Sequence, residues 1–202
     1  MSIDTHCKAD FKRARHLATE LLLKQDLDSL FINVIDFDID IPVKIDSVQN
    51  YAKLTNRPIN DFICDGFDGC FVLKYPRCNV ILYDETESNI ARRNWGIAHE
   101  LGHLYLEHET DGRIQEREAN VFASQLIVPE AVLYSILVHK GNIKIKDLTN
   151  NFNVSKECAK NRLKSFVKRL NFINIDSNLN QKLSKKFNPH IEQCFCRHRN
   201  KI

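Results

Sequence analysis

Little in this 202-residue chain suits secretion, a membrane or disorder. Six glycines and five prolines are too few for a collagen-like or linker-rich chain, and a hydrophobic content of 43% is too high for a disordered one. Strictly apolar runs are short, as in Val80-Ile81-Leu82-Tyr83 and Ala131-Val132-Leu133-Tyr134, whereas a membrane-crossing helix needs roughly 20 such residues. The opening residues Met1 to His6 lack the basic stretch and apolar core of a secretory signal. Seven cysteines (7, 64, 70, 78, 158, 194 and 196) form an odd set without the spacing of a disulfide scaffold, so free thiols are expected. Cys194-Phe195-Cys196-Arg197-His198 is too tightly spaced for a metal knuckle and has no second pair. These absences lead us to expect a soluble, cytoplasmic protein with no membrane partner. The length suits one compact domain with a small appendage.

The charge is unevenly placed. Residues 1–139 carry 14 Lys and Arg against 22 Asp and Glu, and residues 140–202 carry 15 against 4, which nets to +3 overall. A basic C-terminal third suits contact with nucleic acid or an acidic protein, and equally a solvated helical face.

Apolar spacing predicts an α+β fold, with helices around a small antiparallel sheet. Residues 10–25 read as a first helix. After the alternating stretch 36–41, Pro42 is placed to open a second helix through Leu54. Residues 69–75 and 79–83 read as a hairpin turning at Pro76-Arg77-Cys78. Helices follow over about 92–106, 114–126 and 130–139, the last ending at Gly141. A short helix from Ile145, a turn with Ser155 as cap and a basic helix from Lys156 resemble a helix-turn-helix. The expected division is a catalytic domain over 1–140, a basic helix-turn-helix-like segment over 141–171 and a poorly packed basic tail over 172–202.

His99-Glu100-Leu101-Gly102-His103 carries the chemistry. Residues four apart share a helix face, so both imidazoles can reach one ion, while Glu100 can accept a proton from water. Short motifs arise by chance, so the context matters, and here the flanks are apolar and helical. A catalytic zinc also needs a third ligand. Glu116, in preference to Glu118, supplies a carboxylate on the next helix, and Asn120 is placed to hydrogen-bond a ligand. His108, Tyr105 and Arg92 are candidate oxyanion donors. His108 lies off the ligand face and reads better as a support for the ligands or as a structural residue, and Tyr83 reads as an alternating strand residue.

Ala98-His-Glu-Leu-Gly-His103, His108, Glu116-x-x-Ala-Asn120-x-Phe-Ala123 and Leu126-Ile-Val-Pro129 together resemble the ImmA/IrrE family of zinc metallopeptidases over about residues 10–170. The resemblance implies Zn2+ held by His99, His103 and Glu116, with Glu100 as general base. It also implies a helix-turn-helix repressor protein as substrate, of the kind found in mobile elements or stress regulons. The chain departs from the family in having Asn94-Trp95-Gly96 where Arg-Phe-Thr is usual, and Val128 where Met is usual before Pro129. Its length matches the shorter, mobile-element form. The edge of the 70–83 hairpin is where an extended substrate is expected to pair. The rival reading is a DNA-binding or partner-binding regulator with a structural or inactive zinc site, drawn from the basic 145–170 segment.

Overall fold

In the computed structural model, which describes residues 8–63, 69–110 and 112–195, the Asp10 carboxylate accepts the Arg13 amide and starts α1 (Phe11–Lys24). Ala14, Ala18, Leu21 and Leu22 form its buried stripe. Cys7, Cys64, Cys196 and His198 lie outside the described residues.

The helix expected from Pro42 is corrected. Val43–Ser47 is a strand, β1, and α2 (Val48–Thr55) begins only after it, capped by the Ser47 side chain on the Asn50 amide. The Pro42 carbonyl accepts the Asn79 amide at 2.9 Å, so the ring's missing N–H costs the ladder nothing. The hairpin forms as expected from β2 (Cys70–Leu73) and β3 (Asn79–Tyr83), paired antiparallel. However, β1 runs parallel to β3, with Val43 opposite Asn79 and Ser47 opposite Tyr83, so the sheet is mixed, in the order β1-β3-β2. The α+β class stands; the wholly antiparallel sheet does not.

Four helices follow: α3 (Ile90–Tyr105), α4 (Arg113–Ile127), α5 (Glu130–Lys140) and α6 (Ile145–Asn151). Gly141 caps α5 in the left-handed region at φ 81°. Then α7 (Lys156–Arg169) starts with the Ser155 hydroxyl accepting the Cys158 amide. The tail is also corrected: α8 (Asn178–Phe195) buries Leu183, Phe187 and Ile191, spaced four apart, on α1 and α5. The Lys186 ammonium donates to the Leu23 and Gln25 carbonyls at the end of α1. The main apolar core runs from Ala14 to Ile191, and a second, smaller cluster of Val48, Ala52, Phe62, Val80 and Leu82 packs α2 on the sheet. Among the described residues no single helix is long and apolar enough to cross a membrane. The α4–α5 pair is apolar enough together but bends by 44°, and both helices bury residues in the core.

Two glycines fix where α3 sits. A Cβ at Gly102 would stand 3.0 Å from the Ala119 Cα and 3.1 Å from its carbonyl oxygen, and one at Gly96 would stand 2.9 Å from the Cys70 Cβ. The absence of side chains at these positions lets α4 close on one side of α3 and β2 on the other.

Candidate metal centre

The Asn89 side chain caps α3 by accepting the Arg92 amide at 3.1 Å. Ile97, Ala98 and Leu101 turn into the core, which leaves His99 and His103 on the seam with α4. There Glu116 reaches both: its carboxylate oxygens lie 3.3 Å from His99 Nε2 and 3.3 Å from His103 Nε2. The two Nε2 atoms are 3.1 Å apart. Donors at about 2.0–2.1 Å from a tetrahedral ion stand roughly 3.3 Å from one another. The triangle therefore has the size, and the two-nitrogen, one-oxygen chemistry, that a divalent metal requires. His103 is buried and Glu116 half-exposed, so one side of the triangle opens to solvent.

His108 is brought back by the end of α3. The His108 amide bonds to the His103 carbonyl at 3.0 Å and the Glu107 amide to the Leu104 carbonyl at 3.1 Å. Glu107 takes the left-handed conformation at φ 59°. This double bond pattern is a Schellman motif. It sets His108 Nδ1 3.2 Å from His103 Nδ1, and His108 Nε2 3.0 Å from Glu118 Oε2. Metal binding by His103 Nε2 requires its proton on Nδ1, and the contacts accommodate that tautomer. His108 donates Nε2–H to Glu118 and accepts the His103 Nδ1–H, leaving the lone pair of His103 Nε2 facing the donor triangle. The Asp10 amide donates to the other Glu118 oxygen. The role of Glu118 was missed from sequence, where it was weighed only as a rival third ligand.

Glu100 is half-buried beside β2. The Cys70 thiol there is pushed well above its ordinary range, first by burial and then by the Glu100 charge. Asn120 donates to the backbone carbonyl of Glu116 at 2.8 Å and lines a cavity with Arg92. The Tyr105 hydroxyl is committed to Asp40 at 2.6 Å. Tyr83 lies at the end of β3 with the Arg93 guanidinium 5.4 Å from its ring centre. Asn94, in the run where the chain departs from the resembled family, is buried. It accepts the Val34 amide at 2.8 Å and donates to the Ile32 carbonyl at 2.7 Å, pinning the N-terminal loop to α3.

Residues 71–164, just under half of the chain, match the family model Peptidase_M78, described as the IrrE N-terminal-like domain. This region is similar to the IrrE N-terminal-like domain. The match bears out the resemblance to ImmA/IrrE proteins over these residues and supports a metallopeptidase of that type. It starts within β2 and ends within α7, so the donor triangle, Glu100, His108 and Glu118 all lie inside the IrrE-like region. No curated protein and no solved structure matches the chain.

Proposed function

We propose that this chain is a zinc-dependent endopeptidase whose substrate is a DNA-binding repressor protein. The observation that carries the reading is the triangle of His99, His103 and Glu116 donor atoms, with Glu100 one residue along the same helix. In this reading His99 Nε2, His103 Nε2 and a Glu116 oxygen hold the zinc. The bound metal supplies Lewis acidity toward a peptide carbonyl and toward water. Glu100 takes a proton from the attacking water at its carboxylate and passes it to the departing amine nitrogen. The β2 edge offers main-chain groups to an extended substrate. The repressor as substrate follows from the resemblance to ImmA/IrrE proteins.

The test is elemental analysis with a cleavage assay on a candidate helix-turn-helix repressor. We expect about one zinc per chain in the parent and a large loss in Glu116→Ala. Glu100→Gln should keep its zinc and lose about 10³-fold in cleavage rate. Parent-like cutting by Glu100→Gln, or failure to take up zinc, would sink the reading.

A second reading is favoured by one observation. Lys156, Lys160, Lys164 and Lys168 recur every four residues on α7, and all are exposed. Such a stripe suits nucleic acid or an acidic face of the repressor. Titration with duplex DNA at low salt separates them: tight, steeply salt-dependent binding supports DNA, and no binding leaves the repressor.

A further inference from the structure

The stripes that carry the metal donors continue past them. On α3, Trp95 stands one turn before His99 and Arg92 three residues earlier; on α4, Asn120 and Ser124 follow Glu116 at successive turns. Together with one face of α7 these residues enclose a cavity of about 530 Å³, within the range that ligand pockets occupy. The first turns of α7, which would have to enter a DNA groove in a helix-turn-helix, instead form this wall.

Arg162 decides the chemistry of the cavity. Its side chain is 4% exposed. It donates from Nε to the Val128 carbonyl at 2.8 Å and from Nη2 to the Gln125 side-chain oxygen at 2.9 Å. Its nearest carboxylate, Glu130, is 3.7 Å away, and the same Glu130 oxygen is held more closely by Arg169 at 2.9 Å. One carboxylate thus serves two guanidiniums, so the charge of Arg162 is only partly offset. Burial pulls Arg162 down to about 10, so it stays protonated at neutral pH. Arg92 adds a second positive group, with Glu87 3.7 Å from it. Among the described residues, Glu157 on the exposed wall is the only carboxylate in the lining.

We propose that this cavity is a specificity pocket that receives an acidic side chain of the peptide substrate beside the bond to be cut. The proposal rests on the peptidase reading for the nature of its occupant. Neutral groups on Asn120, Ser124 and Asn161 offer hydrogen bonds to the peptide, Trp95 offers an apolar face, and Arg162 and Arg92 offer the charge.

Trp95 is the single tryptophan of the chain, so intrinsic fluorescence reports this pocket directly. The full-length protein carrying Glu100→Gln, with and without zinc, would be titrated with short peptides differing only in a central Glu, Gln or Lys. The Glu peptide should shift Trp95 emission saturably, with affinity about tenfold above the Gln peptide and the Lys peptide weakest. Asn161→Phe, an exposed substitution that fills the cavity, should abolish the shift, and Arg92→Gln should narrow the preference. Equal curves for the three peptides, no shift with any of them, or a Glu preference untouched by both variants would overturn the proposal. A parallel cleavage assay with Glu100 intact separates the two readings. Peptides cut equally well would leave a peptidase without this pocket. Selective binding without cleavage would leave the pocket and remove the peptidase.

Discussion

The α3–α4 and α6–α7 pairs are both helix-turn-helix units in one core, and they use their seams in opposite ways. The α3–α4 seam holds His99, His103, Glu116 and, at its end, His108 with Glu118. The α6–α7 seam holds Leu148, Phe152, Ala159 and Phe166, all buried, and puts its lysines outside. Ionisable groups survive on an inner seam only when each is given a partner, because an unpaired buried polar group costs about 1–3 kcal/mol. That condition holds here: among the described residues no buried side-chain nitrogen or oxygen lacks a hydrogen-bond partner. The lysine face needs no such arrangement, since water solvates it.

The comparison breaks most severely at Gly102. A Val there meets the backbone of α4, so Gly102→Val should cost about 1–3 kcal/mol and move Glu116 off the histidines. Thermal unfolding and zinc content check both effects, and an unchanged zinc content would mean that α4 can retreat without losing the site. Next is His108→Leu, which removes the support of His103 and leaves the fold intact. Zinc affinity should fall about 10–100-fold, read by competition with a chelator.

Where α3 ends, Asp40 ties Tyr105 to Lys24 at the end of α1. The Asp40 carboxyl is held below its ordinary range, first by the hydrogen bond from Lys24 and then by that from Tyr105. A lowered folded value means that its stabilisation is present above the ordinary pKa of about 3.9 and is lost as pH falls through the lowered one. Asp40→Asn should therefore melt below the parent at neutral pH, with the gap closing on acidification. A gap independent of pH would show that the tie is not ionic. The smallest effect is expected on the other helix pair. Lys160→Gln with Lys164→Gln should leave stability within about 0.5 kcal/mol and zinc content unchanged, and a larger loss would show that the basic face belongs to the fold.

Much of this contrast is legible in the sequence. Helix spacing, the Ser155 and Gly141 caps and the H-E-x-x-H run are local signals, and they place α3 to α7 to within a few residues. The misses have local causes too. Val43 to Ser47 is too short for its alternation to outweigh the helical spacing that continues through Leu54, so the strand emerges only once β3 is there to pair with it. Leu183, Phe187 and Ile191 form a clear stripe, but the lysines and asparagines around them and Pro189 within the helix hid it. Glu118 stood beside the favoured ligand, and nothing local could assign it to His108.

By itself the sequence determined which groups can do chemistry: two imidazoles one turn apart, a carboxylate between them and another on the next amphipathic helix. Such spacing is set by helix geometry, which every residue reports through its own neighbours. Tertiary structure alone decided how closely Glu116 approaches both imidazoles, that Glu118 pairs with His108 beside His103, and that α7 walls a cavity with α3 and α4. Those pairings join residues on separate elements. They depend on how closely two helices approach, and hence on Gly102 having no side chain.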